Sequence, residues 1–146
     1  MKPVAIFDID GTIADNNHRL HLITTDQPKA ERDKFHIMCA EDKEIVVVTA
    51  LLHALRRDGW EIWLFTARPE MSRAATEEWL RRVGIEYEVL EMRADSDHRC
   101  DVDAKRDMAA RHDMSRVRFV VEDRNRCVDM WRGMGLCCLQ CAPGDY

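Results

Sequence analysis

The sequence has no apolar run of about 18 residues, so nothing in it reads as a membrane span. Its start, MKPVAIFDIDGT, puts acids where a secretory signal needs its apolar stretch, which predicts a cytoplasmic protein. Internal repeats, low-complexity tracts and linkers are missing, and 146 residues predict one domain, 1–146. Lysine is scarce, at 5 against 17 arginines, and the net charge is -5 from 22 basic and 27 acidic residues. That balance excludes a generally basic protein that coats nucleic acid, but it leaves room for a local basic site. Arginine suits bidentate phosphate contacts, although a GC-rich coding sequence gives the same skew. Six cysteines are present, with a single C-x-x-C at Cys138 and Cys141. No second pair completes a zinc site, and in a strand the two side chains would face opposite ways. In a chain that is not exported these are reduced thiols. The six histidines show no H-x-x-x-H spacing, so they read as surface or supporting groups. Apolar residues at 46% and charged residues at 34% exclude a disordered tail and suffice for one core.

What is present is an alternation of strand and helix. Val4 to Asp8 is a short apolar run ending in acids, Glu61 to Thr66 (EIWLFT) is a second strand and Tyr87 to Met92 a third. Arg118 to Val121 and Leu136 to Gln140 complete five. Helical spacing runs over Ile45 to Arg57, closed by Gly59, and over Ser72 to Val83, with Ser72 as N-cap and Gly84 just past the end. Further helices cover Val102 to His112 and Asn125 to Met134. Trp60, Trp63, Trp79 and Trp131 sit in these periodic segments and read as packing groups. The pattern predicts an α/β fold with a parallel sheet and helices on both faces. Such sheets bind ligands at the C-terminal ends of their strands. Asp8-Ile9-Asp10, Thr66-Ala67-Arg68 and Glu122-Asp123-Arg124 all fall at strand ends, and Lys105 opens a helix. Leu22 to Glu44 is polar and reads as part helix, a small flap or lid.

Asp8-Ile9-Asp10-Gly11-Thr12 carries the most information. Two aspartates at a strand end repel, which raises one pKa unless a cation intervenes, and magnesium prefers such oxygen ligands. One carboxylate can then attack while its neighbour moves protons. Gly11 lets the backbone turn close to a phosphate. An ordinary Asp-Gly turn is the competing reading. Four fixed residue types, each worth roughly a factor of 15–20, occur by chance in about one chain in a thousand of this length.

These motifs resemble those of the haloacid dehalogenase (HAD) superfamily of phosphotransferases. DIDGT resembles its first motif, Thr66 in LFTAR its second, Lys105 its third, and Glu122-Asp123 in FVVEDR its fourth, all in order. The chain is more specifically similar to the 3′-phosphatase half of bacteriophage polynucleotide kinase/phosphatases. That family has an Arg eleven residues after the nucleophile, here Arg19, and an Arg in the second motif, here Arg68. It has an Arg-rich loop leading to an Asp four residues before the lysine, here Arg93, Asp97, Arg99 and Asp101. The ending EDRNRCVDMWRGMGLCCLQCAPGDY is similar nearly throughout. The G-x-x-x-x-G-K-[ST] loop of a kinase half is absent, and Thr-Ala-Arg stands in place of Ser-Gly-Arg. The resemblance implies a Rossmann-like HAD fold, a five-stranded parallel sheet in the order 3-2-1-4-5, and at most a small cap.

It also implies a magnesium-dependent phosphatase acting on phosphorylated nucleic-acid 3′ ends of DNA or RNA. Asp8 is then the nucleophile and Asp10 the acid and base. Thr66 and Lys105 hold the phosphoryl group, with backbone N–H groups near Ile9 to Gly11. Magnesium is expected on Asp8, the Asp10 carbonyl and Asp123, with Glu122 close by. Arg19, Arg68, Arg93, Arg99, Asp101 and Arg124 are the expected substrate-binding set, and Asp101, one helical turn before Lys105, is expected to orient it. No membrane partner is implied; a homo-oligomer and a separate kinase or ligase partner are compatible with it. Two other functions use a similar core. A nucleotidase needs fewer phosphate contacts than this Arg set offers, and a receiver-type phosphoacceptor module lacks the second aspartate that Asp10 supplies.

Overall fold

A computed structural model of the chain describes residues 1–23 and 26–146. Five parallel strands, β1 (Val4–Phe7), β4 (Glu61–Pro69), β5 (Val89–Arg93), β6 (Val117–Glu122) and β7 (Cys138–Gln140), form one sheet in the order β5-β4-β1-β6-β7. Renumbered among themselves they run 3-2-1-4-5. β1 is central, and all four of its side chains are buried. It is apolar throughout because both of its faces are covered.

Side chains alternate between two cores. Val4, Ile6, Trp63 and Phe65 pack with Met108, Val128 and Trp131 under α4 (Asp101–Ala110) and α5 (Asn125–Gly133). Ala5, Phe7, Ile62 and Leu64 pack with Leu52, Trp79 and Leu80 under α2 (Val46–Arg57) and α3 (Arg73–Arg82). The helices end about where expected. Ser72 occupies the N-cap position of α3, but its hydroxyl donates to the Pro69 carbonyl instead of capping the helix. The four tryptophans all pack; Trp79 also donates its indole N–H to the Asp42 carbonyl at 2.7 Å.

The polar segment after β1 forms a small cap. The ribbon β2 (Ala14–Asp15) and β3 (Lys43–Glu44) closes its base, pairing Ala14 with Glu44 and Asp15 with Lys43. Between them lie a 3-10 turn at Asn17–Leu22, helix α1 (Lys29–Ile37) and a second 3-10 turn at Met38–Glu41. Neither ribbon strand was foreseen, since two residues are too few to show alternation. The chain leaves β1 toward β4 on one side and later returns to β6 on the other. The ends of β1, β4 and β6 therefore meet at the point where strand order reverses.

Candidate active site

Register places the chemistry. Phe7 is level with Leu64 and Val121, so Asp8, Thr66 and Glu122 follow together at one sheet edge. The Asp8 amide still donates to the Val121 carbonyl at 3.0 Å, which fixes the start of the loop. Gly11 adopts a left-handed conformation with φ 80°. A Cβ there would overlap the Asp123 carboxylate, so turn and close approach both require glycine. The Gly11 N–H donates to the Ala14 carbonyl at 2.8 Å, so that amide is used by the turn itself and not left for a phosphoryl oxygen.

Asp8, Glu122 and Asp123 are buried, and one carboxylate oxygen from each lies within 4.8 Å of the others. Lys105, also buried, donates to Asp8 at 2.7 Å and to Glu122 at 2.6 Å. One ammonium thus faces three carboxylates. Burial, followed by the Glu122 charge, pushes Asp8 up to about 7. Glu122 and Asp123 are raised as well, mainly by burial. Burial would lower Lys105, but Asp8 and Glu122 outweigh it and hold the ammonium charged. This surplus of buried negative charge, made of oxygen donors only, fits a hard metal cation. Glu122 turns one oxygen to Lys105 and the other to the Asp123 and Arg124 amides, Asp8 accepts from Lys105 and Thr12, and Asp123 accepts from Thr12 and Tyr146, so all three carboxylates are engaged.

Asp10 lies apart from this cluster. Its carboxylate receives Arg19 at 2.7 Å and Arg68 at 2.7 Å. Both guanidiniums are buried and both also reach Asp42, from the end of the cap, at 2.8 and 2.7 Å. Burial would raise Asp10, but Arg68 and then Arg19 outweigh it and hold it below the usual carboxylate range. The two aspartates of the motif are thereby driven in opposite directions, Asp8 upward and Asp10 downward.

Residues 2–146 match the family described as the polynucleotide kinase PNKP phosphatase domain. The chain belongs to this family. Solved structures agree. The phosphatase chain is 28% identical, with a TM-score of 0.84, to a chain in a structure of a Pnkp1/Rnl/Hen1 RNA repair complex, covering 99% of itself and 44% of that chain. In a second Pnkp1/Rnl/Hen1 structure the identity is 30% and the TM-score 0.82, with 99% and 47% covered. The PNKP-type chain therefore spans under half the length of these relatives. A haloacid dehalogenase-like hydrolase from Streptococcus pneumoniae, at 13% identity and TM-score 0.61 over 95% of this chain and 84% of that one, shares the fold.

Around this HAD-type centre lies a cavity of about 870 Å³. Asp8, Asp10, Thr66, Arg68, Arg93, Asp101, Lys105, Glu122, Asp123 and Arg124 all line it. Thr66 is fully buried; its hydroxyl accepts the Arg68 amide at 3.1 Å and keeps its own proton to donate. Arg19 stands behind Asp10, its guanidinium 4.3 Å from the Phe35 ring centre. Arg99 lines a neighbouring groove of about 800 Å³, where Asp97 and Asp107 bind its guanidinium at 2.9 and 2.6 Å. Arg93 borders both spaces, and its Nε is buried with no partner among the described residues. Among the described residues Asp101 makes no hydrogen bond or ion pair with Lys105. It instead binds Arg124 at 2.6 Å and Arg126 at 2.7 Å, because Lys105 turns inward to Asp8 while Asp101 faces α5.

Sequence reasoning missed Asp42, Tyr146 and Thr12. Asp42 is wholly buried, accepting from Arg19, Arg68 and His18, yet it sits in a polar stretch with no periodicity. Tyr146 donates its hydroxyl to Asp123 and stacks under Arg124, 4.6 Å from the ring centre. The Asn125 amide donates to the Gly144 carbonyl at 2.7 Å and holds that tail in place. Thr12 donates to Asp8 at 3.2 Å, a role that its place in DIDGT could have suggested.

Proposed function

We propose that this phosphatase removes the 3′-phosphate from nucleic-acid ends, with magnesium as cofactor, and that residues 1–146 act as one catalytic domain. The observation that carries the proposal is the opposed pair: Asp8, buried against Lys105, and Asp10, held by two arginines, two residues apart in the loop after β1. An Asp8 oxygen attacks phosphorus and the bond from phosphorus to the sugar oxygen breaks, leaving an aspartyl-phosphate. Asp10 gives its proton to the departing oxygen. It then takes a proton from the water that attacks phosphorus, inorganic phosphate leaves, and Asp8 is restored. The resting Asp10 is ionised, which suits the second half-reaction. An arriving phosphate dianion repels that charge and competes for Arg68, and both effects favour the protonated form needed in the first half.

Magnesium would be held by Asp8, Asp123 and the Asp10 carbonyl, with Glu122 supporting through Lys105. When bound it offsets the repulsion between carboxylate and phosphate. Lys105 and the Thr66 hydroxyl present positive charge and a donor to the phosphoryl oxygens. Arg93 and Arg124, at the rim, are placed to meet further phosphates of a strand.

The RNA repair complex that contains the Pnkp1 relative makes RNA as well as DNA ends worth testing, and a separate kinase or ligase partner is consistent with it. Phosphate release should be measured from 3′-phosphorylated DNA and RNA oligonucleotides, a 3′-mononucleotide and an aryl phosphate. The oligonucleotides are expected to give the highest kcat/KM, and Asp8→Asn to leave under about 1% of turnover. Equal kcat/KM for mononucleotide and oligonucleotide would make a nucleotidase the better account.

A further inference from the structure

We infer that Leu20, Ile23 and Ile45, on the cap side of the cavity, form a seat for the base of the 3′-terminal nucleotide. The inference rests on the 3′-end function proposed above and assigns its specificity.

A phosphate group needs donors and charge, and those lie at the floor of the cavity. The volume of about 870 Å³ far exceeds one phosphoryl group and falls in the range that encloses a nucleotide-sized ligand. Its upper walls differ in character. Arg93 and Arg124 come from the ends of β5 and β6, Leu20, Ile23 and Phe35 from the cap, and Ile45 from the residue just after β3.

The local geometry of the cap explains why those side chains face the cavity. In a 3-10 turn, side chains three apart eclipse one another along one edge. Arg19 and Leu22 are 1% and 6% exposed and form the inner edge, Arg19 reaching Asp10 and Asp42. Leu20, in the turn, and Ile23, the residue that follows it, are 41% and 44% exposed and are tied by the Ile23 amide donating to the Leu20 carbonyl at 3.1 Å. The contacts that fix Arg19 thus also set the direction of Leu20. Exposed apolar side chains are ordinary on a surface, but these two line the same cavity as Asp8 and Lys105, where a ligand with an apolar face would cover them. A bare phosphate or ribose offers no apolar face to do so. A nucleobase does, and aliphatic contact with its flat surface is indifferent to sequence. The seat and the phosphate floor share one cavity, so a single terminal nucleotide can occupy both.

The test compares two substrates that differ only at the terminal residue. One 3′-phosphorylated oligonucleotide ends in thymidine and the other in an abasic deoxyribose. The wild-type enzyme is expected to prefer the base-bearing end by roughly tenfold in kcat/KM, expressed in KM. In Leu20→Ala/Ile23→Ala the base-bearing substrate should lose most of that factor and the abasic one far less. Leu20→Phe, which keeps the position apolar, should keep the preference. Equal kcat/KM for the two ends in the wild-type enzyme overturns the seat, and that comparison needs no variant to fold. A fall by the same factor for both ends in the double variant overturns it too. If neither oligonucleotide is hydrolysed while an aryl phosphate is, the 3′-end function itself fails and the seat with it.

Discussion

Asp8 should make the metal-free protein lose stability as pH rises, and replacing it should relieve that loss. Its folded pKa of about 7 lies above the unfolded value of 3.8. Between those limits the folded state binds the extra proton, so stability is full below about pH 4 and falls as pH climbs through 7. At about 1.4 kcal/mol per pH unit the difference amounts to at most ~4 kcal/mol. For a domain of this size that is on the order of 10 °C in Tm. Asp8→Asn keeps an acceptor for Lys105 but carries no titrating charge. Thermal melting with a chelator present should therefore show nearly equal Tm values near pH 4 and a gap that widens as pH rises. At pH 8 the variant should melt higher by up to about 10 °C. Adding a divalent cation should raise the wild-type protein more than the variant and close the gap, since binding to the folded state alone stabilises it. A gap between the two proteins that stays constant from pH 5 to pH 8 would refute the claim that buried charge repulsion dominates this site.

Activity should vanish on exhaustive chelation and return with magnesium; full turnover without a divalent ion ends the metal assignment, and rescue by zinc alone would point back to Cys138 and Cys141. Asp42→Ala leaves Arg19 and Arg68 buried with only one of their two shared carboxylates, Asp10, and should cost about 3 kcal/mol in a denaturant titration; a loss under 1 kcal/mol would mean that the cap relaxes around the gap. Oligonucleotide turnover at subsaturating substrate should fall with salt more steeply than mononucleotide turnover, by about 0.7 in log-log slope for each strand phosphate held. Arg93→Ala should flatten that slope while Arg99→Ala changes it little, because Asp97 and Asp107 already occupy the Arg99 guanidinium; the reverse order would place the strand in the neighbouring groove.

The central sheet was legible because each strand carries its own evidence. Val4–Phe7 is apolar on both faces, and the strand-helix alternation leaves few topologies. The acidic and hydroxyl residues at the strand ends follow from that frame. The cap was not legible, since Asp15, Asp42 and Lys43 belong to a polar stretch whose order comes from long-range contacts with Asp10, Arg68 and Trp79. Arg19 shows the limit of residue type as evidence. An arginine expected at a substrate is instead enclosed by Asp10, Asp42 and the Phe35 carbonyl, something no local pattern records. Asp101 shows the limit of spacing, which permits contact with Lys105 but does not choose between that lysine and the arginines of α5.

The ion network that joins Asp10 to the cap also limits how such an enzyme can diversify. Insertions beside a catalytic loop are ordinarily exchangeable parts, free to be lengthened or replaced as substrates change. Here the insertion between Asn16 and Asp42 brings Arg19 to Asp10 and Asp42 to both Arg19 and Arg68. Grafting in a different cap would leave Asp8, Thr66 and Lys105 in place but strip Asp10 of half its counter-charge. On the roles proposed for Asp10 and for Leu20 and Ile23, substrate preference and proton handling would be inherited as a single module, and new specificities would be more accessible by changing Leu20 and Ile23 than by replacing the segment that carries them.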